Sequence, residues 1–135
     1  MSEQQRLFTL APEIRSGAAP VPEGLDLFVV LSGHMDAGRT ASQVRTAVRE
    51  RLERRVIAEF DVDRLIDYRD RRPRISFDGE RFRDLRMPSI TLELVQDPLG
   101  HPFLMLAGPE PDFAWQAFSR AVLDLSLIHI SEPTR

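Results

Sequence analysis

Short apolar runs alternate along this chain with polar, arginine-rich segments, and the spacing within each predicts an element. Leu25 to Leu31, LDLFVVL, is continuously apolar after Asp26 and rich in β-branched and aromatic residues. That is the pattern of a strand buried on both faces, at home in a parallel sheet. In the next segment, SGHMDAGRTASQVRTAVRERLERR, Ala37, Ala41, Val44, Val48 and Leu52 recur at helical spacing. Thr40 and Gln43 have capping-box spacing and Asp36 is an alternative N-cap, so the helix start is placed within a turn. Val56 to Phe60 reads as the following strand, which predicts a β-α-β unit with a helical crossover.

The flanking segments follow the same logic. Leu7 to Leu10 predicts an edge strand, followed by a Pro/Gly/Ala-rich loop. Asp63 to Tyr68 is a short helical turn. Asp78-Gly79 is the preferred dipeptide of a two-residue hairpin, with Ile75 and Phe77 facing Phe82 and Leu85 across it. Ser89 to Val95 and Phe103 to Ala107 are two further strands joined by a turn containing Pro98 and Gly100. A final helix presents Ala114, Ala117, Phe118, Ala121 and Val122 on one face, with Asp112 as its N-cap. The fold class is therefore a single α/β domain with some antiparallel strands.

Composition narrows the function classes. The 135 residues include no cysteine, and all 18 basic residues are arginine. A disulfide framework, thiolate metal sites and cysteine nucleophiles are excluded. Three histidines, His34, His101 and His129, are too few for a histidine-rich metal site, so no metal or other cofactor is expected. No apolar run approaches the ~20 residues that cross a bilayer, and the first residues do not read as a secretory signal, so the expectation is a cytoplasmic protein without membrane partners. Arg39 to Arg86 carries 14 arginines against 10 acidic residues. Because the two signs alternate, the segment reads as a solvated, ion-paired face rather than a nucleic-acid surface.

Three segments could carry chemistry. Gly33 to Thr40, GHMDAGRT, matches the phosphate-loop spacing except that Arg39 replaces the lysine. Gly33 and Gly38 could cradle an anion at a helix start, but Asp36 puts a negative charge in the cradle and a guanidinium does not reproduce a compact ammonium. The same geometry suits a structural turn capped by Asp36, or contact with a small ligand or partner. Asp67 to Arg74, DYRDRRPR, sets arginines including Arg71 and Arg72 beside Tyr68. They either bind an anion by bidentate contacts or pair locally with Asp67 and Asp70. Ala107 to Phe118, AGPEPDFAWQAF, places Glu110 on the carboxyl side of a strand, the edge where open α/β sheets bind ligands. Trp115 either covers a neighbouring strand or lines a groove. No nucleophile with a paired base is visible, so no catalytic residue is assigned.

Together, GHMDAGRTASQ, FDVDRLIDYRDRRPRISFD and DPLGHPFLMLAGPEPDFAWQAF resemble the actinobacterial branch of the proteasome assembly chaperone family of the second type. The resemblance covers roughly Leu7 to Asp124. It implies a three-layer α/β/α fold with a mixed sheet, similar to purine nucleoside phosphorylases. Eukaryotic and archaeal relatives help assemble the proteasome core and dock through a C-terminal hydrophobic-Tyr-x tail. The family pattern carries Gly33, Asp36, Ala37 and Gly38 from the first motif, Tyr68, Arg71, Arg72 and Pro73 from the second, and Gly108, Glu110, Pro111 and Trp115 from the third.

The resemblance also implies a longer chain with further strands and helices, so residues 1–124 are expected to be the first, C-terminally truncated portion of that domain. Leu125 to Arg135, LSLIHISEPTR, looks like the translation of a transposon-end sequencing adapter and is expected to be non-native. The expected function is a non-enzymatic, chaperone-like protein whose partners are proteins, proteasome components among them, with self-association of the full-length form. The alternative is a nucleoside-type ligand binder or enzyme on the phosphorylase-like fold. Gly33, Asp36, Gly38, Tyr68, Arg71, Arg72, Glu110 and Trp115 are the expected contact residues in either case. An enclosed pocket with Arg71 or Arg72 pointing inward would favour the small molecule, and a flat apolar face the protein partner.

Overall fold

In the computed structural model of the chain, the described residues are 7–18, 21–33, 40–69, 74–77, 79, 82–86 and 88–126. The elements are β1 (Phe8–Leu10), α1 (Pro12–Arg15), β2 (Leu27–Ser32), α2 (Thr40–Arg51), β3 (Glu53–Phe60), α3 (Val62–Leu65), β4 (Arg74–Phe77), β5 (Phe82–Arg86), β6 (Thr91–Gln96), β7 (Pro102–Pro109) and α4 (Trp115–Ser126). Five strands form one sheet in the order β1-β3-β6-β7-β2, and β4 and β5 form a separate two-stranded sheet. β2 runs parallel to β7, and every other neighbouring pair is antiparallel, so the sheet is mixed, as expected.

Strand pairing bears out the β-α-β crossover and shows how wide it is. β3 is antiparallel to β6 and β6 to β7, so β2 and β3 point the same way but are separated by two strands. The α2 connection therefore spans the sheet rather than joining neighbours. β2 is not buried on both faces. It lies at the sheet edge among the described residues, with Phe28 56% and Val29 57% exposed. The strand covered on both faces is β6, where every residue from Thr91 to Val95 is buried.

Side-chain alternation sorts the sheet into two faces. On one, Val95, Met105 and Ala107 pack with Val30, Phe103, and Val48 and Leu52 of the α2 end of the chain. On the other, Leu92, Leu94, Leu104 and Leu106 pack with Phe60, Leu65 of α3, Ile14 of α1, and Phe118, Ala121 and Leu125 of α4. Helices thus cover both faces of a central sheet, the layered α/β arrangement anticipated from sequence. Each fully buried Leu, Ile or Phe contributes roughly 1.5–3 kcal/mol, so this second cluster is the main source of stability. Leu125 is 1% exposed, so α4 packs continuously through the boundary placed at residue 124.

Local expectations shift in four places. The inward face of α2 is turned by one residue: Val44 is 42% exposed, and the neighbouring Arg45 faces the sheet instead. α4 begins at Trp115, so Ala114 precedes it in a positive-φ conformation (φ 57). Ala114 and Ala117 are both exposed, and the buried stripe is Phe118, Ala121 and Leu125. Asp112 does not sit at the helix start; its Oδ2 accepts the Asp67 N–H at 2.7 Å. Finally, Phe77 pairs with Phe82, so the β4–β5 connection holds four residues rather than two.

Candidate functional site

The parallel register of β2 and β7 pairs Leu31 with Gly108 and Ser32 with Pro109. Both strands therefore end together, and the residues that follow them meet. The Glu110 N–H donates to the Ser32 carbonyl at 2.6 Å. Glu110 then folds its side chain over Gly33. A Cβ built on Gly33 would lie 2.8 Å from Glu110 Cγ and closer still to its carboxyl group. The absence of a side chain at position 33 is thus what makes room for the Glu110 carboxylate. Gly108 is equally constrained: its φ is 146°, and a Cβ there would meet the Ser89 carbonyl oxygen at 2.5 Å.

Backbone bonds bring the second motif to the same loop. The N–H groups of Asp112 and Phe113 donate to the Leu65 carbonyl at 2.7 and 3.1 Å, and Asp112 receives the Asp67 N–H. Tyr68 is half-buried against the larger core, and its hydroxyl donates to Asp63 Oδ1 at 2.9 Å. Partial burial, that hydrogen bond, and the charges of Asp63 and Asp61 raise the Tyr68 phenol above its ordinary value. Trp115 is 48% exposed and Phe113 50%; the Trp115 ring meets Phe118 edge-on at 6.2 Å. Gly33 and Glu110 are thus in contact at the carboxyl ends of β2 and β7, and backbone bonds tie the segment that leads to Tyr68 to the loop between Glu110 and Trp115. Asp36, Gly38, Arg71 and Arg72 lie outside the described residues.

Sequence reasoning missed a charged group at the same end of the sheet. β6 runs opposite to β7, so its start lies beside Ala107 and Gly108. Arg45 reaches down from α2 and donates to the Ser89 carbonyl and Oγ, both at 3.2 Å, and to Thr91 Oγ1 at 3.4 Å. Burial, then the nearby Arg49 charge, pulls its guanidinium below its ordinary value. One step further along β6, Glu93 is 0% exposed. Its Oε1 accepts from Arg54 at 2.8 Å and faces Arg49 at 3.7 Å. Glu93 Oε2 and Arg45 Nε are buried without a protein hydrogen-bond partner. The available signal was the i, i+4 pair Arg45 and Arg49 on the face that also carries Val48 and Leu52, but choosing Val44 for that face hid it.

The arrangement offers carboxylates, guanidinium donors and exposed aromatics, but no nucleophile–base pair among the described residues. No group of three or more His, Asp or Glu able to hold a metal occurs among them, and none of their helices is long and apolar enough to cross a membrane. Two open depressions formed by described residues lie elsewhere. One of 450 Å³ is bordered by Ser42, Thr46 and Glu50 on the outer side of α2, and one of 210 Å³ by Arg54, Arg55 and Gln96.

A family model described as the PAC2 family matches residues 30–127. A solved protein of unknown function from Corynebacterium glutamicum is 36% identical, with a TM-score of 0.81 over 92% of this chain and 47% of that one. A Mycobacterium tuberculosis protein of unknown function, Rv2714, is 33% identical, with a TM-score of 0.81 over 95% of this chain and 44% of its own. The proteasome-assembly chaperone homologue Rv2125 of Mycobacterium tuberculosis shares the fold at 22% identity, with a TM-score of 0.65 over 75% of this chain and 43% of that one. This chain thus spans less than half the length of these solved structures. No curated protein matches it.

Proposed function

The chain belongs to the PAC2 family, and from that premise we propose that it is a non-enzymatic, chaperone-like protein of the cytoplasm whose partners are proteins, proteasome components first among them. The observation that carries the reading is the exposure of Phe113 and Trp115, at 50% and 48%, on the rim where the three motif segments meet. Large aromatics held half-exposed at a backbone-anchored loop and at the helix start that follows it are of the kind enriched at protein interfaces. The relationship to a proteasome-assembly chaperone homologue supports the partner class. Asp36, Gly38, Tyr68, Arg71, Arg72 and Glu110, with Gly33, are proposed as further contact residues.

The test is capture of purified actinobacterial proteasome subunits by the immobilised protein. Binding is expected, and Trp115→Ala should weaken it by about thirtyfold, the equivalent of a ~2 kcal/mol hot spot. Failure of the wild-type protein to retain any proteasome subunit would overturn the proposal.

One observation favours a second reading, a small-molecule site. Glu110 lies over Gly33 at the carboxyl ends of two parallel strands, the usual ligand position in α/β sheets. Nucleosides, inorganic phosphate and nucleotides should then raise the melting temperature, and Gly33→Ala, by displacing Glu110, should abolish the rise. The absence of a shift with all three classes removes this reading.

A further inference from the structure

The layer between α2 and β6 encloses two polar atoms that the residues around them do not satisfy. Thr91, Glu93 and Val95 alternate onto one face of β6, the face on which Val48 of α2 packs. Arg45 and Arg49, one helical turn apart on α2, both reach that face, Arg45 to Ser89 and Thr91 and Arg49 toward Glu93. Glu93 Oε1 faces Arg54 and Arg49. Its Oε2, like Arg45 Nε, is sealed from solvent and has no hydrogen-bond partner in the protein.

The planar guanidinium of Arg45 fixes the direction of its unused donor. Nη1 and Nη2 form one edge of the fork, and Nη2 and Nε the next. The first edge engages Ser89, whose carbonyl accepts from Nη1 and whose Oγ accepts from Nη2, and Nη2 then reaches Thr91 Oγ1. The Nε–H therefore points along β6 past Thr91, and the next side chain on that face is Glu93, roughly 6.6 Å further on. Burial, the largest influence on the Arg45 guanidinium, lowers it, and Glu93 is the neighbouring charge that raises it.

We infer that a single internal water molecule bridges Arg45 and Glu93, accepting from the Nε–H and donating to Oε2. Chemistry and access together decide the occupant. It must accept on one side and donate on the other, which excludes a cation facing Nε and a simple anion facing Oε2. It must also be enclosed. Both atoms are already shut off by this chain itself, so nothing that packs on the outside of α2 or the sheet, whether another segment or another protein, reaches them. Water is the smallest molecule that meets both conditions, and Thr91, 5% exposed, offers its hydroxyl as a third polar neighbour. Leaving a buried charged acceptor unmet costs more than holding one water in place. An unbroken run of hydrogen bonds then leads from Ser89 at the start of β6 through Arg45, the water and Glu93 to Arg54 of β3.

A high-resolution crystal structure of the 135-residue chain tests this. One ordered water is expected about 2.7–3.2 Å from both Arg45 Nε and Glu93 Oε2. A direct bond between those two atoms, a protein group bonded to either, or no ordered density between them would overturn the inference. In solution, water-oxygen relaxation dispersion counts internal waters held for longer than the protein tumbles. The wild-type chain should hold one more than Arg45→Lys, which keeps the positive charge but lacks the Nε–H. Arg45→Met, which cannot reach the carboxylate with a charge of its own, is the second variant, and the same loss is expected. Equal counts in the wild type and both variants would also overturn it.

Discussion

Replacing Gly108 by alanine probes the joint on which the rim depends. Gly108 sits at φ 146° where β7 passes the start of β6, and an added Cβ would lie 2.5 Å from the Ser89 carbonyl oxygen, 2.8 Å from Ile90 Cα and 3.0 Å from Ile90 Cγ1. Carbon contacts are comfortable only near 3.5–4.0 Å, so the two strands must part by roughly 1 Å. They have little room to do so, because Ile90 is 0% exposed and two of the three atoms belong to backbone. Holding a non-glycine residue at this φ costs about 1–3 kcal/mol, and forcing apart a packed contact about 1–3 kcal/mol more. The sum, roughly 2–6 kcal/mol, is a large share of the ~5–15 kcal/mol that stabilises a domain. At roughly 3–5 °C per kcal/mol for a chain of this size, a fall in Tm on the order of 10–20 °C is expected.

Urea unfolding followed by circular dichroism supplies the measurement, with an unchanged m-value as the check that the unfolded state is unaffected. Gly100→Ala is the control. Gly100 also has positive φ (83°) but has nothing within 4 Å of its added Cβ, so it incurs only the backbone term of ~1–2 kcal/mol. A Gly108→Ala protein within about 0.5 kcal/mol of wild type, or no less stable than Gly100→Ala, would refute the claim that β6 and β7 are locked by this close approach.

Three further outcomes follow from the same structure. Glu93→Gln should destabilise by about 2 kcal/mol in urea unfolding, since it turns a buried charged hydrogen bond to Arg54 into a neutral one and leaves three arginines facing it; a neutral result would mean that the carboxylate is already compensated. Phe118→Ala should cost about 3–5 kcal/mol, because the ring is 3% exposed and lies 5.1 Å from Phe60; a loss under about 1 kcal/mol would place α4 outside the core. Asp97 has its carboxyl lowered first by the His101 backbone N–H, with the Leu99 N–H adding to it. A folded-state value below the ordinary 3.8 means this turn is fully stabilised above that pH and loosens as pH falls through the lowered value. Amide exchange of Leu99 and His101 should rise over that acid window, and Asp97→Asn should abolish the dependence.

Much of the architecture is legible from local pattern. Residues 89–95 and 103–107 read as strands because their apolar runs are bounded by turn residues, and they are β6 and β7 with small shifts of boundary. The amphipathic segments after residues 40 and 113 read as helices because a 3.6-residue period survives single exceptions. The contact of Glu110 with Gly33 was only half legible. The strand-to-helix turns were visible separately, but the parallel register of β2 with β7 was needed to bring them together.

What the sequence determined by itself was the set of elements, the mixed α/β class and the family, since periodicity, turn chemistry and motif spacing are properties of neighbouring residues. What tertiary structure alone decided was position. β2 and β6 illustrate the difference. LFVVLS has the composition of a central strand yet lies at an edge among the described residues, whereas TLELVQ alternates like a half-exposed strand yet is buried through five residues. Burial of Glu93 is tolerated because Arg54 and Arg49 arrive from elements 39 to 44 residues away. Strand order and long-range charge pairing are set by contacts between distant segments, and no local period records them.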